Sequence, residues 1–63
     1  MNTRTVTVYH LHYALRLERG WIPHVVAFTD PGEVDHQRRL REERPDIYGC
    51  VRVSGPHTQE VPA

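Results

Sequence analysis

The stretch TDPGEVDHQRRLREERPD, residues 29–46, lies between two runs of strand-forming residues, and its reading decides the fold. Asp30 is of the type that caps a helix by accepting from its first free amides. Pro31 follows at the first helical position, where a missing N–H does no harm. Glu33 stands three residues after Asp30, as in a capping box. Pro45 ends the run, because it pushes Arg44 away from the α region. The spacing predicts a helix from about Pro31 to Glu43. Its apolar stripe is thin, with Val34 and Leu40 widened by the aliphatic stems of Arg38 and Arg41.

Outward from this helix the chain reads as strand. Residues 4–15, RTVTVYHLHYAL, are rich in Val, Thr and Tyr and contain no Gly or Pro. Alternation puts Tyr9, Leu11, Tyr13 and Leu15 on one face, assigned to the core. Val6, Val8, His10, His12 and Ala14 take the other. Gly20 predicts a hairpin turn around Glu18–Gly20. Residues 21–29, WIPHVVAFT, return as a second strand, with Pro23 confined to an edge, a strand start or a bulge. Residues 47–53, IYGCVRV, form a third, with Ile47, Gly49, Val51 and Val53 opposite Tyr48, Cys50 and Arg52. Residues 55–63 read as a disordered tail behind a single domain over 1–54. The expected fold is α+β in the order β-β-α-β: a three-stranded sheet with one helix on one face. The other face is left without a partner in the chain.

Composition narrows the function classes. A chain of 63 residues buries only about 60% of its unfolded surface. A core of that size supplies roughly 3–5 kcal/mol. Cys50 is the single cysteine, which fits a reducing compartment and excludes paired-thiolate zinc sites. The N-terminus has no basic segment followed by an apolar run, and no stretch approaches the ~20 apolar residues of a membrane span. These features predict a cytoplasmic protein that does not enter membranes. Eight basic residues balance eight acidic ones, against a general nucleic-acid binder. All eight basic residues are Arg. A GC-rich coding sequence would produce that bias, as would a demand for bidentate contacts to carboxylate or phosphate.

Three groups of residues are candidates for a site: a histidine set, Cys50 and an Arg-rich helix face. His10 and His12 share a strand face, and a zinc site would need a third ligand, for which His24 is the candidate. A three-residue turn (Glu18, Arg19, Gly20) would put His24 on their face; a two-residue turn (Arg19, Gly20) would send it to the other. The core assignment needs the second register, so the expectation is a polar, half-exposed face without metal or other cofactor. A pH-sensing histidine pair is a further alternative. Cys50 has no ordered base beside it, and no phosphate loop or carboxylate pair is evident. Catalysis is not expected. In HQRRLREER, residues 36–44, Arg38 pairs with Glu42, and Asp35, Arg39 and Glu43 repeat at i, i+4, i+8. That is a self-neutralising helix face. Arg38, Arg41 and Arg44 still leave a stripe suited to an acidic partner surface.

The element order, the segment AFTDPGEVD (27–35) and the segment CVRVSGP (50–56) resemble the small inhibitor of bacterial RNA polymerase found in T7-like bacteriophages. The similarity spans roughly residues 5–56. It implies a non-catalytic phage or mobile-element protein that regulates its host by occluding a protein surface such as RNA polymerase. In that family arginines of the last strand contact the polymerase. Arg52 matches one of them, a second has no counterpart, and the family's acidic strip is reduced to Glu18. The expected partner-binding residues are Arg52, Trp21, Tyr48, Glu18, Arg38 and Arg41. Self-association as a homodimer is also expected, because the thin helix stripe and bare sheet face leave Val6, Val8 and Trp21 uncovered. A His-based metal protein and a homo-oligomeric structural module are the alternatives.

Overall fold

The computed structural model describes residues 2–63. Its elements are β1 (Thr3–Leu17), β2 (Gly20–Phe28), α1 (Pro31–Glu42) and β3 (Tyr48–Pro62). They build the expected small α+β domain in the order β-β-α-β. The sheet order is β2-β1-β3, and β1 runs antiparallel to both neighbours. The helical connection therefore carries the chain from one edge of the sheet to the other, across β1. None of the helices described is long and apolar enough to cross a membrane.

The β1–β2 turn has two residues, as in the register that sends His24 away from His10 and His12, but it lies one position earlier in the chain than expected. Leu17 pairs with Gly20, and only Glu18 and Arg19 lie between them. Gly20 takes φ +127, a conformation open to glycine at little cost. Tyr13 then faces His24, and Leu11 faces Val26. Leu11 lies on the core face, as alternation predicts, and is fully buried.

The helix begins as its sequence dictates. Asp30 is the N-cap, and its Oδ1 accepts from the Gly32 amide at 2.9 Å. Asp30→Ala should lower stability by about 1 kcal/mol, within a range of 0.5–2, measured as a shift in the urea midpoint. The stripe differs from expectation. Val34 is buried, but Leu40 remains 44% exposed. Arg41 lies two turns from Val34 and shares its face, whereas Leu40 is rotated about 100° away from Arg41. The Arg41 guanidinium covers the rings of Tyr13 and Tyr48, at 4.6 and 5.4 Å from their centroids.

The expected disordered tail is strand instead. Residues 55–62 continue β3, and Thr3↔Pro62 through Val8↔His57 pair in register. The reason is geometric. β2 reaches only as far as Tyr9, so the first half of β1 would otherwise have no partner, and a terminus tied into a sheet stays ordered. The Ala63 amide closes the ladder on the Asn2 carbonyl at 3.1 Å.

Two bulges shape β3. Cys50 and Val51 stand opposite Tyr13 alone, and Gly55 and Pro56 opposite Tyr9 alone. Each bulge resets the alternation of side chains. The first moves Gly49 to the open face and Tyr48 to the helix face, the reverse of what uninterrupted alternation predicts. At the second, Gly55 has φ +121, and a Cβ there would lie 3.0 Å from the Val8 carbonyl oxygen. Val8, paired with His57 on the face opposite Leu11, is buried at 5% exposure, where alternation predicts an open position. Among the described residues the buried core is Val8, Leu11 and Val34. The molecule is long and thin, 46 × 24 × 13 Å.

Candidate interaction face

The open face of the sheet is built by register. From β1 it takes Val6, the buried Val8, His10, His12 and Ala14; from β3, Gly49, Arg52, Ser54, His57 and Gln59; from β2, Trp21, Pro23, Val25 and Ala27. Arg4 and Arg16 stand at its two ends. Between Val6 and Ala14 this face carries no carboxylate on any strand. The acids lie elsewhere. Asp35 and Glu42 pair with Arg38 and Arg39 along the helix. Glu60 stands opposite Thr5, on the helix side of the sheet. A chain of zero net charge thus presents one face with Arg and His but no acid.

At the centre of this face His10 lies between His12 and His57, with ring centroids 6.3 and 5.3 Å away. His12 Nε2 meets Ser54 Oγ at 2.8 Å. Desolvation lowers the His12 pKa, and Arg52, His10 and His57 lower it further by repulsion. A folded pKa below the unfolded value means that this histidine favours the fold above about pH 6.5. The contribution declines as the pH falls and the unfolded chain takes up the proton more readily.

His24 is not part of this cluster. It stacks on Tyr13 at 5.5 Å on the helix side, so the His10–His12–His24 grouping does not form. His57 takes its place, a residue hidden from sequence reasoning by its position in the apparent tail. Among the described residues no group of three His, Cys, Asp or Glu side chains is placed to hold a metal ion. Zinc titration by calorimetry should give no stoichiometric event at neutral pH. A sub-micromolar site that vanishes in His12→Ala would contradict this reading.

The six residues expected to bind a partner are scattered. Arg52 and Trp21 share the open face. Trp21 is 50% exposed and lies across to β3, where a Cβ on Gly49 would sit 3.2 Å from its ring. Glu18 occupies the hairpin tip beside Trp21. Tyr48 lies on the helix side, edge-on to Tyr13 at 5.6 Å. Arg41 is held over those two rings and bonds Gln37 Oε1 at 2.8 Å. Arg38 is engaged by Asp35 and by Glu42. The hydrogen bond from Arg38 holds the Asp35 carboxyl below the usual carboxylate range.

Cys50 is exposed at the first bulge. An open depression at the hairpin end is lined by Arg16, Trp21, Asp46 and Ile47 among others. Asp46 is held below its usual range chiefly by Arg44, with a smaller contribution from Arg16. No family model, curated protein or solved structure matches the chain.

Proposed function

We propose that the protein is a non-catalytic interaction module that docks the open face of its sheet on an acidic protein surface. The observation that carries this reading is the segregation of charge. Arg52 is exposed and central, with Arg4 and Arg16 beyond it and no acid between. Guanidinium groups recognise carboxylates through paired hydrogen bonds. Exposed Trp21 lies on the same face as Arg52, and Trp and Arg are enriched among the residues that carry most binding energy at protein interfaces. The two ends of the Arg series, Arg4 and Arg16, are twelve residues apart on one strand, about 40 Å. Cations so thinly spread suit a few carboxylates better than a phosphate backbone.

The concrete version is a phage or mobile-element regulator that occludes a host protein such as RNA polymerase. It draws on the resemblance in element order and on Arg52. The test is capture of host proteins on the tagged chain, wild type against Arg52→Glu. Loss of a specific band in the variant supports the reading. A wild type that captures nothing, or that retards DNA or RNA at physiological salt, overturns it.

A further inference from the structure

We propose that two copies of the chain join along β2 about a twofold axis near Val25, pairing the β2 strands antiparallel into a six-stranded sheet. Three observations meet on this strand. First, β2 is an outer strand of the sheet, and every residue from Gly20 to Ala27 is exposed, with Phe28 alone half-buried. Its sequence, GWIPHVVAF, contains no Asp, Glu, Lys or Arg. Edge strands are usually protected by charge, and interface centres are depleted of it. Second, the apolar side chains stand out on both faces of the strand. Trp21 and Val25 are 50% and 57% exposed on the open face, and Ile22 and Val26 are 45% and 36% exposed on the helix side. The helix covers β1 and β3 and barely reaches β2.

Third, the surface is too large for a monomer of this size. The chain exposes 4877 Å², whereas a compact monomer of its mass exposes about 4,200 Å². The radius of gyration is 14.1 Å, against about 11 Å for a compact domain of this length. The excess, roughly 700 Å², is close to the ~800 Å² that each partner contributes to a stable interface.

A second copy is the occupant this strand fits. A twofold contact must be self-complementary. An uncharged apolar strip meets that condition automatically, whereas the open face would set Arg52 and the histidines against their own copies. The opposite edge is less suited, because the bulges at Cys50 and Gly55 break its regularity. Pro23 lacks a donor, so a pairing centred on Val25 keeps the full ladder at the centre and loses one bond on either side. This inference does not depend on the partner reading. Arg52 lies on the far side of β1 and stays exposed in such a dimer.

The experiment is sedimentation of the wild type and Val25→Glu, together with oxidative cross-linking of Val25→Cys in a Cys50→Ser background. Val25 lies outside the core, so the Glu variant should keep its circular-dichroism spectrum. The expected result is a wild-type dimer, a monomeric Val25→Glu, and a covalent dimer from Val25→Cys. Across an antiparallel pair the Cα atoms lie about 4.5–5.5 Å apart, within disulfide range. Arg52→Cys in the same background should not cross-link. A wild-type monomer at high micromolar concentration overturns the proposal. So does a dimer that survives Val25→Glu, or one that cross-links through position 52 and not position 25. Loss of host-protein capture with the dimer intact would strike the partner reading alone.

Discussion

Arg52→Glu should abolish capture of a partner while leaving the circular-dichroism spectrum and Tm nearly unchanged. Arg52 is exposed on β3 opposite His12, and it forms no ion pair among the described residues, so the fold loses no salt bridge when it is replaced. Its repulsion contributes to the lowered pKa of His12; a carboxylate there would raise that pKa. The variant should therefore be slightly more tolerant of acid than the wild type. For binding, the change removes a cation from an acid-free face and adds an anion to it. Truncation of an interface Arg often costs about 2 kcal/mol or more, some thirtyfold in affinity, and charge reversal adds repulsion to that loss. Arg52→Lys is the control. It keeps the charge and loses the planar fork, so binding should fall only partway. Normal capture by Arg52→Glu would show that this face is not the docking surface.

Much of this fold was legible in the sequence because its signals are local. Asp30, Pro31 and Pro45 each act within a few residues, and the helix begins at Pro31 as they dictate. The alternation along β1 also places Leu11 in the core and His10 and His12 on the open face. What was not legible depends on pairing. Nothing in CVRVSGP announces that Cys50–Val51 and Gly55–Pro56 each oppose a single residue of β1. That count decides where Tyr48, Gly49 and His57 point. Residues 55–62 carry the turn-rich composition of a tail. They are ordered because β1 extends past β2 and offers them an edge, a fact about a distant strand. The candidate site divides in the same way. Arg52 and Trp21 were recognisable by residue type and position, whereas Arg41 resembled a free surface cation until the rings beneath it came into view.

Leu11→Ala should unfold most of the protein at 37 °C. Leu11 is at 0% exposure on the central strand, opposite Val26 on one side and Val53 on the other. Only Val8 and Val34 join it as buried core residues among those described. Removing a buried Leu side chain costs about 2–5 kcal/mol, depending on how far the surroundings collapse into the space. A single core in a chain of this length supplies roughly 3–5 kcal/mol in total. Collapse is limited on both sides. The rings of Tyr13 and Tyr48 are held under Arg41, and neighbouring backbone is fixed in the two ladders of β1. The loss therefore approaches the whole stability of the chain. Leu11→Met, which conserves volume, should cost less than about 1.5 kcal/mol and remain folded. If pairing of two copies along β2 adds stability, the Leu11→Ala midpoint in urea should rise with protein concentration, because mass action favours the associated native state. A Leu11→Ala variant with a wild-type urea midpoint would mean that the core of this molecule lies elsewhere.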